Sequence, residues 1–150
     1  MNDLPNLDGM RFRGGQRDGD FPQYDGLSFG PSSRVKEVLT ATDVDAQNNT
    51  LTIAQIVAGI VVHTSVTGGG TVTTDTAANI IAGSGGVALR RDNQCLTVWY
   101  INDGSQTLTF AGGDSVTVVD TGQTVATNES ALLLFRRVSS TTVSMYMVGA

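Results

Sequence analysis

Short β-branched segments separated by glycine- and aspartate-rich turns fill most of the chain after residue 34. From Cys95 onward the segments read CLTVWYI, QTLTF, SVTVV, QTVAT, ALLLFRRV and TVSMYMVG. Apolar segments of strand length that recur about every ten residues are typical of sandwiches and barrels. We therefore expect an all-β, antiparallel sandwich or barrel, with a jelly-roll-like arrangement as one form of it.

Turn residues predict where the strands reverse. The breaks around Asp103-Gly104 and Gly112-Gly113 are strong hairpin signals between neighbouring strands. Within the segment LTVWYI, the period of two places Leu96, Val98 and Tyr100 on one face of a strand. In SMYMVG, Met145 and Met147 share one face, with Tyr146 and Val148 on the other.

Two stretches carry the capping signals of short helices. Thr52 is followed three residues later by Gln55, which is the spacing of a capping box, so TIAQIVAG predicts a helix that ends near Gly59. TVTTDTAANIIAG predicts a second helix, capped by Thr74 or Asp75 and ending just before Gly83.

The composition changes near residue 34. All three prolines and four of the nine aromatic residues precede Arg34, mixed with arginine and aspartate. We interpret residues 1–34 as an extended N-terminal docking arm and residues 35–150 as a β-rich globular domain. Interleaved aromatic and arginine side chains are typical of contact residues, and an arm that orders on its partners can cover a large surface.

Charge and hydropathy exclude two classes of partner. The net charge is −5 with nine basic residues, whereas nucleic-acid binding requires clustered Lys and Arg. The arm motif RFRGG resembles an RNA-binding RGG segment, but five aspartates dilute it. No apolar run approaches the ~20 residues of a membrane-spanning helix, and no signal peptide is visible. We expect no nucleic acid and no membrane as partners.

Candidate catalytic and metal-ligating residues are few. His63, the single histidine, lies in a β-branched run and is interpreted as structural, although it could serve as a base with Cys95 if the fold brought them together. Cys95 begins a strand and is interpreted as a small buried hydrophobic residue. We expect no enzymatic activity and no cofactor.

Three further patterns have a functional and an ordinary explanation. Asp43-x-Asp45-x-x-Asn48 offers oxygen ligands but lacks the glycine and the distal glutamate of a calcium loop, so no metal is expected. The glycines at 68–70 and 83–86 lack the spacing of a phosphate loop and are interpreted as turns. The pairs Arg90-Arg91 and Arg136-Arg137 lie either at solvated strand ends or against acidic surfaces of neighbouring subunits.

The arm therefore contains the candidate binding residues. They are its arginines and aromatic residues, interpreted as partner-binding anchors: Arg11, Phe12, Arg13, Arg17, Phe21, Tyr24 and Phe29.

Residues 50–149 resemble a β-rich domain of virion structural proteins in the order of a capped turn, a TDTAANI segment and a NDGSQTLTF hairpin. The resemblance is to the decoration, minor capsid and fibre-head proteins of tailed phages and large double-stranded DNA viruses. It implies a homo-oligomer, with a trimer favoured, that sits on a capsid or tail. It transfers no binding residue, and the arm lies outside it.

Sequence and resemblance together favour a non-enzymatic virion structural protein, a decoration or minor capsid protein assembled in the host cytoplasm. Its expected partners are the major capsid or tail proteins of the same virion and further copies of itself. The alternatives are a fibre-tip or adhesin module that binds a host glycan through the glycine-rich loops, and an enzyme that uses His63 and Cys95.

Overall fold

A computed structural model describes residues 23–24, 27–28, 39–64, 67–120 and 122–149. The chain divides into two units, Met1–Val38 and Leu39–Ala150. In the first unit, two short strands, β1 (Gln23–Tyr24) and β2 (Leu27–Ser28), pair antiparallel with each other. The predicted boundary between residues 34 and 35 lies outside the described residues.

The second unit consists of strands with two short helices, which confirms the prediction of a β-rich domain with few helices. Its elements in chain order are β3 (Thr40–Val44), β4 (Asn49–Leu51), α1 (Ile53–Ala58), β5 (Gly59–His63), β6 (Gly70–Thr74), α2 (Ala77–Ala82), β7 (Cys95–Asn102), β8 (Leu108–Ala111), β9 (Val116–Val118), β10 (Thr124–Val125), β11 (Glu129–Arg137) and β12 (Val143–Val148). Within the described ranges, neither helix has the length or apolar character needed to cross a bilayer.

The strands of the second unit form two mixed sheets. A six-stranded sheet has the order β3-β5-β7-β11-β12-β9, and a four-stranded sheet has the order β10-β8-β6-β4. In the first sheet β3, β5 and β7 are parallel neighbours, and in the second β4, β6 and β8 are parallel neighbours. Antiparallel pairs join β7 to β11, β11 to β12 and β8 to β10.

Three successive segments of the chain repeat one path. Coil 1 (40–51), coil 2 (59–74) and coil 3 (95–111) each place a first strand in the six-stranded sheet and a second strand in the four-stranded sheet. The coils stack in parallel, so that Ala41, Ile60 and Trp99 lie side by side in register. This stacking is the organising feature of the first two thirds of the unit.

The prediction of antiparallel pairing throughout is therefore wrong. The turn at Asp103-Gly104 joins β7 and β8, which belong to different sheets, and the turn at Gly112-Gly113 joins β8 and β9, which also belong to different sheets. The expected hairpins do not form there, because β8 pairs with β6 and β10 and not with β7, and β9 pairs with β12 and not with β8. The turn between β11 and β12 does join antiparallel neighbours.

The two helices begin and end at specific capping residues. Thr52 caps α1 in a capping box with Gln55, and Gly59 follows the helix in the left-handed conformation, as predicted. Thr76 caps α2, and not the predicted Thr74 or Asp75, although Gly83 follows the helix as expected. Thr74 instead ends β6.

Both sheets and both helices contribute to one hydrophobic core. Inward side chains alternate along the strands, and the largest that are fully buried include Tyr100, Phe135, Leu51, Ile56 and Leu133. The core residues from the two sheets form a single cluster. Burial of this cluster ties the three coils to the antiparallel strands β11 and β12.

The turns of the coils approach each other closely where β6 begins. A Cβ atom on Gly70 would overlap the backbone oxygen of Gln47 in coil 1 and would lie 2.9 Å from the Leu108 side chain in coil 3. A Cβ atom on the neighbouring Gly69 would meet no heavy atom closer than the Thr107 oxygen at 3.8 Å. Of these two neighbouring glycines, Gly70 is the one that the close approach of the coils requires.

We predict that Gly70→Ala lowers the free energy of unfolding by about 1–3 kcal/mol, because the added methyl group forces coils 1 and 2 apart. Gly69→Ala is the matched control and should change it by less than about 0.5 kcal/mol. Urea denaturation of both variants measures the difference. Equal stabilities would contradict the close approach of the coils.

Candidate functional site

The predicted binding residues of the arm are not placed. Arg11, Phe12, Arg13, Arg17, Phe21 and Phe29 lie outside the described residues. Tyr24 lies in β1, where its backbone pairs with Leu27. Their role as partner-binding anchors stays a prediction.

His63 lies at the end of β5 and is fully buried. Its Nε2 lies 2.6 Å from the carbonyl oxygen of Ala46, and its Nδ1 lies 2.7 Å from the hydroxyl of Tyr100. Because a carbonyl oxygen only accepts, Nε2 carries a proton, and in the neutral ring Nδ1 accepts the Tyr100 proton. Both ring nitrogens are thus occupied by protein atoms.

Tyr100 extends this contact to a third partner. Its hydroxyl also lies 3.4 Å from Oδ1 of Asn49, which is a weaker polar contact because the one hydroxyl proton is donated to His63 Nδ1 at 2.7 Å. Its ring packs edge-on against Phe110 with centroids 5.0 Å apart. Burial raises the pKa of the Tyr100 phenol well above its ordinary value, so the hydroxyl stays protonated. We give the name buried polar cluster to the fully buried His63 and Tyr100 together with their less buried partners in coil 1, the Ala46 carbonyl oxygen and the Asn49 side chain.

The buried polar cluster connects all three coils. Ala46 and Asn49 belong to coil 1, His63 to coil 2 and Tyr100 to coil 3. Asn102, also fully buried, shapes the turn of coil 3 because its Oδ1 accepts from the Gly104 N–H while its Nδ2 lies within hydrogen-bond distance of three carbonyl oxygens. The cluster therefore orients the scaffold, which agrees with the structural interpretation of His63.

Cys95 corrects an expectation, because its side chain is exposed and not buried. It starts β7 on the outward side, in alternation with the inward Val98 and Tyr100. His63 of β5 lies opposite Asn102, which ends β7, whereas Cys95 begins β7. At about 3.3 Å per residue, this strand separates the thiol from the imidazole by roughly 23 Å. The fold therefore does not form a Cys–His pair from these residues.

The candidate oxygen ligands of coil 1 are used in other ways. Asp43 lies in β3 with its side chain exposed, and Asn48 Oδ1 accepts from the Thr71 N–H at 2.8 Å. Asn48 thus joins the turn of coil 1 to β6. Among the described residues, no three side chains of His, Cys, Asp or Glu come together as a metal site would require.

The glycines at 83–86 form a tight turn. Ser84 and Val87 exchange two backbone hydrogen bonds of 3.0 and 2.9 Å. Gly83 has a φ of 78°, and a Cβ atom there would overlap the Val87 oxygen. These contacts support the interpretation of these glycines as turn residues.

The two arginine pairs differ in environment. Arg90 and Arg91 lie in a loop and not along a strand, and both of their backbone N–H groups donate to Gln94 Oε1. Arg137 is the more buried partner of an ion pair with Asp92, 3.1 Å from Nε to Oδ1. Arg136 points to the outer side of β11 and donates to Asn93 Oδ1 and the Tyr146 hydroxyl.

Asp75 connects the N-termini of both helices. Its Oδ2 accepts from the Ile53 N–H at 3.0 Å, and its Oδ1 accepts from the Thr76 N–H and from Asn79 Nδ2. Burial on its own would raise the pKa of Asp75, but these hydrogen bonds outweigh it and lower the pKa below 3.8. The sequence pattern predicted Asp75 only as a cap of α2, because its bond to α1 depends on the stacking of the coils.

The outer faces of the two sheets differ in chemistry. The four-stranded sheet presents mainly threonine: Thr50, Thr71, Thr73, Thr109 and Thr124. The six-stranded sheet presents an apolar face, which we define by six outward residues: Ile60, Val62, Trp99, Ile101, Leu132 and Val148. Trp99 is 45% exposed and Val148 is 59% exposed. An apolar face of this width on a sheet indicates an interaction surface.

A polar cleft lies at the edge of the four-stranded sheet. It has a volume of about 430 Å³ and is lined by Asn48, Asn49, Thr50, Thr71 and Thr73. Nδ2 of Asn49 is buried without a hydrogen-bond partner. Hydroxyl and amide groups of this kind can bind the hydroxyl groups of a sugar.

Comparison of the chain with protein-family models, with curated proteins and with solved structures gives no significant match.

We predict that Asp75→Asn lowers the free energy of unfolding by about 1 kcal/mol at pH 7, because an amide nitrogen would then face the donor groups of Ile53 or Asn79. The loss stays small because the carboxylate is only partly buried and solvent screens its interactions. Since the pKa of Asp75 is lowered by folding, its stabilising effect is complete above the unfolded-state pKa of about 3.9 and is lost as the pH falls through the lower folded-state value.

Urea denaturation at pH 7 and at about pH 3 tests this prediction. The stability difference between wild type and Asp75→Asn should shrink on acidification. Asp45→Asn, at an exposed position in the turn of coil 1, is the control and should follow wild type at both pH values. A pH-independent difference for Asp75→Asn would contradict the assigned bonds.

Proposed function

We propose that this protein is a non-enzymatic virion structural protein that decorates or cements a capsid or tail. In this proposal the N-terminal arm, residues 1–34, contacts the major capsid or tail proteins, and the β-rich domain self-associates. The protein is assembled in the host cytoplasm and resides in the virion, with neither nucleic acid nor membrane as a partner. The observation that carries the proposal is the apolar face around Trp99.

The internal use of the polar groups supports a structural role. His63, Tyr100 and Asn102 are buried and bonded to other parts of the scaffold. Asp75 is bonded to both helix termini. These residues rigidify the domain, and a rigid β domain suits a protein whose task is to hold its neighbours in fixed positions.

The arrangement of the two sheets is consistent with this role. We propose that they face each other as the layers of a sandwich, because inward residues of both sheets belong to one core cluster. The layers then present opposite chemistries, with threonine on one outer face and the apolar face on the other. One side is suited to solvent and the other to a neighbouring protein.

The alternative function is recognition of a host glycan by a fibre-tip or adhesin module. The polar cleft favours it, because Gly70 and Thr71 link the glycine-rich loop to the cleft lining. Tight and specific binding of the purified protein on a glycan array, abolished by Thr71→Val and unchanged by Thr109→Val, would favour this function over the structural one.

We predict that the arm is required for incorporation into particles. In the full chain, Phe12, Phe21, Tyr24 and Phe29 are replaced together by serine, and the protein is quantified in sedimented particles. Loss of the aromatic anchors should reduce incorporation at least roughly tenfold, because such side chains carry most of the energy of an interface.

The matched control replaces the arm residues Asp3, Asp8, Asp18 and Asp20 together by asparagine, which keeps chain length and side-chain size. This control should load normally onto particles. Thermal unfolding should give the same transition for both variants, as expected if only docking changes. Normal incorporation of the serine variant would overturn the docking role of the arm.

A further inference from the structure

We infer that the apolar face is a self-association surface that pairs two copies of the protein about a two-fold axis passing close to Trp99. This inference rests on the proposed self-association and gives it a surface and a symmetry. The resemblance discussed above implied trimers, whereas the layout of this face favours a symmetric pair.

The apolar face is continuous across the six-stranded sheet. A single row of residues in register, Ala41, Ile60, Trp99, Leu132 and Val148, crosses five adjacent strands. The largest side chain, Trp99, stands in the middle of this row. A central exposed tryptophan surrounded by aliphatic residues has the composition of an interface core.

The area of the six-stranded sheet's outer face can be compared with that of a stable interface. Six strands spaced about 4.8 Å apart and roughly 20 Å long give a face of roughly 600 Å². A standard stable interface buries about 800 Å² on each partner. Two such faces would bury roughly 1,200 Å² in total, which is the lower end of the range for specific interfaces.

The charged residues of the outer face lie at its rim. Among the outward positions of the six described strands, Asp43 and Arg136 are the charged ones, and both lie toward the rim. Arg136 donates to the neutral groups of Asn93 and Tyr146, and neither contact neutralises its charge. Asp43 is exposed.

The positions of these two charges suit a two-fold axis. Asp43 lies two strands across the sheet and two residues along the strand from Trp99. Arg136 lies one strand across and four residues along from Trp99, and both displacements are opposite to those of Asp43. At about 4.8 Å per strand and 3.3 Å per residue, the distances from Trp99 are about 12 and 14 Å. In the proposed pair, a two-fold axis that lies in the plane of the face, passes near Trp99 and bisects the directions of these two residues brings Asp43 of each copy to Arg136 of the other.

The four-stranded sheet lacks this combination. Its outer face presents threonine hydroxyls and Ala111, which remain well solvated. Thr109 in the middle of β8 is the counterpart of Trp99 and supplies the control position for the test.

Sedimentation equilibrium of the full chain over a range of concentrations tests the pair. Wild type should reach twice the chain mass of 15.7 kDa. Trp99→Glu should raise the dissociation constant about thirtyfold or more, because it places a charge in the centre of the interface. Thr109→Glu should leave it unchanged. A wild-type protein that stays monomeric, or an assembly insensitive to Trp99→Glu, would overturn the inference.

A charge exchange provides a second test that does not depend on Trp99. Asp43→Lys and Arg136→Glu should each weaken the pair at least roughly fivefold, and the double variant in one chain should recover an affinity near that of wild type. A double variant no tighter than the singles, or an assembly of three copies, would refute the two-fold arrangement.

These outcomes are separate from those of the particle experiment. A protein that pairs through Trp99 but does not enter particles would disprove the virion role alone. A protein that enters particles but does not pair would disprove this inference alone.

Discussion

The fold depends on the in-register stacking of three coils, and the buried polar cluster fixes that stacking. His63 of coil 2 is bonded on one side to Ala46 of coil 1 and on the other to Tyr100 of coil 3. Because a buried polar group without a partner is costly, a shift of one coil would leave several such groups unpaired. The cluster thus favours a single register, because hydrogen bonds are more directional than apolar contacts.

The stacking also produces the surface on which the proposed function rests. Parallel strands from the three coils and the antiparallel strands β11 and β12 place one outward residue each into the row centred on Trp99. The same scaffold directs polar residues inward at the turns and threonine to the opposite sheet. In the proposed virion role, this apolar outer face is the surface through which the domain assembles.

Local features were predictable from the sequence, and long-range pairing was not. The capping box of Thr52 and Gln55, the stop at Gly59 and the inward alternation of Val98 and Tyr100 each depend on neighbouring residues. The parallel pairing joins residues that are far apart in the sequence: Thr40 lies opposite Gly59, and Ile60 lies opposite Trp99. Because the sequence separation differs between these two pairs, the coils have no constant period. Local turn signals at Asp103-Gly104 therefore suggested a hairpin. The exposed position of Cys95 has a local cause, because the alternation that places Val98 and Tyr100 inward places Cys95 on the outward side of β7.

Hydrogen-bond scalar couplings measured by NMR test the stacking of the coils most directly. The account predicts couplings from the Thr64 amide nitrogen to the Val44 carbonyl carbon and from the Asp103 amide nitrogen to the His63 carbonyl carbon, since these N–H groups donate across coils at 3.0 and 2.9 Å. Both couplings should be observed in one sample. Their absence, together with couplings between β7 and β8 as an antiparallel hairpin, would contradict the stacked coils.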